Sequence, residues 1–123
     1  MAARQDDRKV LGRFAEELAA GHLSRTGYRI LERNVRFRRG ELDIIALHGE
    51  DLVFCEVKAR RSDQYGSPAE AIDLRKQRRL LLLGTLYLQA HPEYANRCCR
   101  FDAALVFPQG SGWCVEVIQN AFP

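Results

Sequence analysis

Asp43, Glu56 and Lys58 are the residues of this sequence best suited to chemistry. They lie in the stretch GELDIIALHGEDLVFCEVKAR, Gly40 to Arg60, whose other members are mostly the Leu, Ile, Val and Phe of buried strands. His48 to Asp51, with Gly49 inside it, reads as a hairpin turn. A turn centred on Gly49-Glu50 sets Leu47 opposite Leu52, Asp43 opposite Glu56 and Glu41 opposite Lys58. Residues directly opposed in an antiparallel pair have Cβ atoms roughly 4.5–5.5 Å apart. Alternation then gathers Glu41, Asp43, Glu56 and Lys58 on one face and leaves Leu42, Ile44, Cys55 and Val57 on the other.

Two opposed carboxylates repel each other, and unpaired charge inside a core strand is costly to bury. A divalent cation resolves the conflict. Mg²⁺ is typically held by one or two carboxylates, with water and phosphate completing its octahedron. Such an ion activates water and polarises a phosphoryl oxygen, and Lys58 is placed to orient the water or neutralise developing charge. The hairpin alone fits a second reading equally well. In that reading a Glu41–Lys58 cross-strand ion pair stands beside solvated acids at a strand end, an arrangement worth little. A slip of one residue in register would also put the two charged sets on opposite faces.

The rest of the chain supplies elements to position these groups. From about Arg8 to Arg25, Leu11, Phe14, Ala15, Leu18, Ala19 and His22 recur at helical spacing, with Glu16 at the edge of the stripe and Gly27 as a stop. Residues 1–8 read as a flexible polar tail. Tyr28 to Arg33 reads as a strand and Asn34 to Gly40 as a basic connection. Glu41–Leu47 and Leu52–Lys58 are the hairpin strands. After a polar loop, Ser67-Pro68 looks like a helix start, with the helix running to about Gln89 and ended by His91-Pro92. Phe101–Phe107 and Trp113–Ile118 read as closing strands around a turn at Pro108–Gly112. The order α-β-β-β-α-β-β predicts one α/β domain over residues 1–123, a central mixed sheet flanked by helices.

With 123 residues, 46% apolar and 28% charged, the chain is long enough to bury a real core. No apolar run approaches the roughly 20 residues of a membrane span. The N-terminus lacks the apolar region of a secretory signal, so a cytoplasmic protein without a membrane partner is expected. Cys55, Cys98, Cys99 and Cys114 have no CxxC spacing and read as free, buried thiols rather than zinc ligands. Net charge is only +3, but basic residues cluster: Arg33, Arg36, Arg38 and Arg39; Arg60 and Arg61; Arg75, Lys76, Arg78 and Arg79. Such clusters suit a phosphate backbone, and equally a solvated surface. His22, His48 and His91 are scattered and read as packed or solvated.

Asp43 followed by Glu56-Val57-Lys58 resembles the PD-(D/E)xK nuclease superfamily. A wider set falls in order: Gly12, Glu16 and Ala19; Arg33-Asn34; Gly40-Glu41-Leu42-Asp43; Phe54 to Arg60; Gly66; Lys76-Gln77; Phe101-Asp102; and Asn120-Ala121-Phe122. Together these are similar to the bacterial UPF0102, or YraN-like, family from about Leu11 to Phe122. Cys55 stands where that pattern more often has Val. The resemblance implies a restriction-endonuclease-like fold and a Mg²⁺- or Mn²⁺-dependent endonuclease, analogous to archaeal Holliday-junction resolvases. It implies Asp43, Glu56 and Glu16 as metal-binding catalytic residues and Lys58 as the group positioning the nucleophile. Glu41, Lys76 and Gln77 would support them, and Arg36, Arg38, Arg39, Arg60 and Arg61 would contact phosphates. Nucleic acid, DNA before RNA and with branched DNA among the candidates, is the implied partner. A junction cutter needs two sites, so a symmetric homodimer is expected. The alternative is a nucleic-acid-binding or adaptor module on the same fold that does not cut.

Overall fold

Alternation in the strands and small residues in the first helix determine how the layers meet. The computed structural model describes residues 2–60 and 72–122, with side chains from residue 9 onward. Its elements are α1 (Ala2–Arg25), β1 (Tyr28–Phe37), β2 (Gly40–His48), β3 (Asp51–Ala59), α2 (Leu74–Ala90), β4 (Cys99–Gln109) and β5 (Gly112–Ile118), with a 3-10 turn at Pro92–Tyr94. The strands form one sheet in the order β1-β2-β3-β4-β5. β3 and β4 run parallel and every other pair is antiparallel. A parallel pair needs a crossover, and α2 lies in it.

α1 covers one face. Ala15, Ala19, Ala20 and Leu23 pack on Ile44, Ala46, Val53, Cys55, Ala104 and Val106. Three alanines on that stripe let the helix axis approach the sheet. Phe14, expected in the stripe, is 40% exposed and instead meets Trp113 edge-on at 5.2 Å. α2 covers the other face, where Leu80, Leu83 and Tyr87 pack on Leu42, Ile45, Leu52 and Phe54. A side chain at Gly84 would stand 3.1 Å from Phe101 and 3.2 Å from Phe54, so glycine is what seats α2 on that aromatic pair. Each fully buried Leu or Phe contributes roughly 1.5–3 kcal/mol, so these two layers carry most of the stability. No helix among the described residues is long and apolar enough to cross a membrane.

Several boundaries differ from the sequence expectation. α1 starts at Ala2, where Ala2, Ala3, Arg4 and Gln5 are good helix formers. β1 runs on through Val35 and Phe37, so most of the expected basic connection is strand and only Arg38-Arg39 turns. The expected helix start at Ser67-Pro68 lies outside the described residues. Ile72 is not helical, and α2 begins at Leu74, where the Asp73 carboxylate accepts from the Lys76 amide at 2.8 Å. Cys55 is buried as expected, but Cys98 and Cys99 are exposed at the start of β4.

A polar clamp pins one end of the sheet. Asp102 is fully buried. It accepts from the Tyr28 hydroxyl at 2.8 Å, from Arg100 Nε at 3.0 Å and from the Asn120 amide at 3.1 Å. Arg100 also reaches Asp51 at 2.7 Å and His48 Nδ1 at 2.7 Å, and His48 stacks on Tyr28 at 4.1 Å. Every strand, or the turn that follows it, contributes to this network.

Candidate functional site

At the opposite end of β2 the sheet forks. The expected hairpin register holds from His48↔Asp51 to Ile44↔Cys55. There the β2–β3 ladder ends, although β2 stays with β1 as far as Gly40 and β3 stays with β4 as far as Ala59. Asp43 occupies the fork. Its carboxylate accepts the Val57 N–H at 2.9 Å, so a side chain satisfies a backbone donor two positions past the end of the ladder.

Divergence also corrects the arrangement of acids. Glu41 and Lys58 are not cross-strand partners, and the four charged residues do not share one face. Glu41 pairs with Arg36 at 3.2 Å, whereas Lys58 makes no ion pair or hydrogen bond with a described residue. Glu56 lies toward α2, 6% exposed, with Lys76 Nζ at 3.3 Å from its carboxylate. Glu16 of α1 comes in from the other side. Carboxylate oxygens of Glu16, Glu41 and Asp43 all lie within 4.8 Å of one another. Asp43 is the link between the two sides, since Glu56 lies close enough to act on its carboxyl.

Electrostatics follow from this crowding. Burial first, and then the hydrogen bond and like charge of Glu56, push the Asp43 carboxyl well above the usual carboxylate range, while the Val57 amide and Lys76 pull the other way. Glu16 is raised by burial, then by Asp43 and Glu41, against Arg33 and Asn34. Three carboxylates gathered this closely are a donor set for a hard divalent cation, which takes carboxylate oxygens and keeps several waters. The residues therefore fit Mg²⁺ or Mn²⁺, with Glu16, Glu41 and Asp43 placed to hold it. Glu56 stands behind Asp43, oriented by Lys76.

Glu16 and Glu41, though not Asp43, open into a concavity of about 520 Å³ lined also by Lys9, Gly12, Arg13, Asn34 and Arg36. An acidic floor under a basic rim accommodates a cation and an anionic ligand together.

The sequence profile of Uncharacterised protein family UPF0102 matches residues 15–106. The chain belongs to this family. It is similar to the UPF0102 protein of Magnetococcus marinus, 52% identical over 114 residues that span 93% of this chain and 92% of that one. UPF0102 proteins of Symbiobacterium thermophilum (50% identical, 91% and 95% covered) and Stutzerimonas stutzeri (45%, 90% and 92%) are also similar. Within the UPF0102 profile lie Glu16, Glu41, Asp43, Glu56, Lys58 and Lys76, whereas Lys9 and Arg13 of the rim precede it.

The remaining expected residues of this UPF0102 chain are more dispersed. Gln77 donates from Nε2 to the Ile72 carbonyl at 3.0 Å and so ties down the entry to α2. Arg38 and Arg39 are exposed in the β1–β2 turn, and Arg79 of α2 lies against Gly40 beside them. Arg60 bonds through its amide to the Val106 carbonyl at 2.8 Å. Arg61 lies outside the described residues. Three residues escaped the sequence reading of the site: Lys9 and Arg13, taken only as helix, and Asn34, taken as loop. For the first two a signal existed, because both precede Glu16 by three- and four-residue steps on α1. Asn34 was marked only as part of the Arg33-Asn34 pair in the family pattern.

Proposed function

We propose that this chain is a Mg²⁺- or Mn²⁺-dependent endonuclease that hydrolyses phosphodiester bonds of nucleic acid, DNA rather than RNA. The observation that carries the reading is the convergence of Glu16, Glu41 and Asp43, the first two of which line a concavity together with Lys9, Arg13 and Arg36. When bound, the metal ion lowers the pKa of a coordinated water and polarises the phosphoryl oxygen. The side chains do the rest. Glu16, Glu41 and Asp43 hold the cation, and Glu56 with Lys76 fixes the orientation of Asp43. Lys58, two residues beyond Glu56 in β3, positions the attacking water. Lys9, Arg13 and Arg36 grip the phosphate backbone, with Arg38 and Arg39 extending the track. The likeness to the PD-(D/E)xK superfamily and to archaeal junction resolvases supports branched DNA as the substrate and a homodimer as the working form.

The test is cleavage of labelled single-stranded, duplex, flap and four-way-junction DNA with Mn²⁺ or Mg²⁺, run beside Asp43→Ala and Lys58→Ala, each checked for folding. Metal-dependent cutting that both variants lose is the expected result. Tight binding without cutting, weakening steeply as salt rises, would replace the enzyme by a binding module.

A further inference from the structure

We propose that Asn34 is a positioning residue for this site, an amide clamp that holds Glu16 and Glu41 together without a cation and turns its oxygen toward the cation when one binds. The inference rests on the metal reading of the acids given above, and three observations carry it.

The first is backbone geometry. The β1–β2 ladder is regular on both sides of Asn34, at Arg33↔Ile44 and Val35↔Leu42, yet the rung opposite Asp43 is missing. Asn34 has φ of 54°, in the left-handed region. A strand residue adopts that conformation only when its surroundings hold it there, and Asn tolerates it better than most.

The second is direction. Arg33 pairs with Glu17 of α1 at 2.9 Å, and the next residue, Asn34, meets Glu16 of the same helix. Successive strand residues normally point to opposite faces. The left-handed turn of the chain is what brings the Asn34 amide round to the acids.

The third is the contact itself. Turned so that it donates, the amide places its nitrogen 3.0 Å from both Glu16 carboxylate oxygens and 2.9 Å from Glu41 Oε1. Its two hydrogens are shared among three carboxylate oxygens, so it does part of what a cation does. Rotation of the amide by half a turn exchanges Nδ2 for Oδ1 without altering its shape. A carbonyl oxygen pointing at the same three carboxylate oxygens is repelled by them unless a cation, or water bound to it, lies between. Hard divalent cations accept both carboxylate and amide oxygens. Asparagine is therefore suited to both states, whereas aspartate suits only the loaded one and glycine neither.

The experiment is Mn²⁺ titration by calorimetry, with thermal melts of the full chain with and without Mn²⁺, for wild type, Asn34→Asp and Asn34→Gly. Glycine keeps the left-handed backbone. Asn34→Gly is expected to bind Mn²⁺ roughly tenfold more weakly, at the low end of what a supporting residue is worth. Asn34→Asp is expected to melt lower than wild type without metal and to bind Mn²⁺ about tenfold more tightly, because the ligand charge rises. Wild-type affinity in Asn34→Gly, or no gain in Asn34→Asp, overturns the assignment while leaving the metal site standing. Absence of Mn²⁺ binding by wild type overturns the metal reading and this inference with it. Should Asn34→Asp not fold even with Mn²⁺, the affinity of Asn34→Gly decides.

Discussion

Replacing Asp43 by Asn is expected to make the metal-free protein more stable and the metal-bound protein relatively less so. Asp43 is held above the usual carboxylate range first by burial and then by Glu56. Folding near neutral pH must therefore either keep an anion in a poor place or take up a proton. Asn avoids both. Its oxygen still accepts the Val57 N–H, and its nitrogen donates to Glu56. The gain is estimated at about 1–3 kcal/mol, the scale of relieving one poorly satisfied buried group. Unfolding entropy of about 2.1 cal/mol/K per residue makes each kcal/mol worth about 4 °C here, so Tm should rise by about 4–12 °C. The pH dependence has a definite sign. A carboxyl whose folded pKa is raised costs nothing below its unfolded value of about 4. Stability is lost as pH climbs from there toward the raised value, so the two proteins should converge near pH 4 and separate as pH rises. Mn²⁺ at about a hundred times its Kd stabilises the wild type by about 2.7 kcal/mol, roughly 10 °C, and should do little for Asp43→Asn. Differential scanning fluorimetry across pH, with and without Mn²⁺, reads all of this. An Asp43→Asn protein that melts at or below wild type near pH 7 without metal would refute the reasoning.

Two further outcomes are expected elsewhere in the fold. Asp102→Ala leaves Arg100 without its fully buried partner and takes away the acceptor of the Tyr28 O–H, which should cost about 3–5 kcal/mol, seen as a Tm lower by about 12–20 °C. Gly84→Ala gains helix propensity but pushes a methyl group against Phe54 and Phe101 at 3.1–3.2 Å. A net loss of about 1–2 kcal/mol is expected, read as a lower urea midpoint with unchanged m.

Much of the frame was legible because local chemistry dictated it. Gly49 at the tip and the alternation of Leu47, Ile45, Leu52 and Phe54 determine the hairpin register, since a one-residue slip would turn the core outward. Ala15 and Ala19 mark the face of α1 by spacing alone. The fork was not legible, because it arises from a side chain, that of Asp43, taking a backbone donor across the strands. That exchange separates Glu41 from Lys58 and hands them to Arg36 and to solvent. Glu56 finding Lys76 depended on where α2 begins, and that is set by the Asp73 cap. The clamp could have been read. Asp102 interrupts an otherwise apolar strand, and a buried carboxylate needs partners.

The clamp and the fork lie toward opposite ends of β2, and that separation divides the labour of the sheet. Residues at one end decide whether the chain folds, and residues at the other decide what it can hold. Changes at distant, independent sites combine nearly additively. The acids, the rim and Asn34 can therefore be rebuilt one by one for another cation or another anionic ligand, against a constant background of stability. In engineering terms the protein is a small chassis with its adjustable end already separated from its anchor.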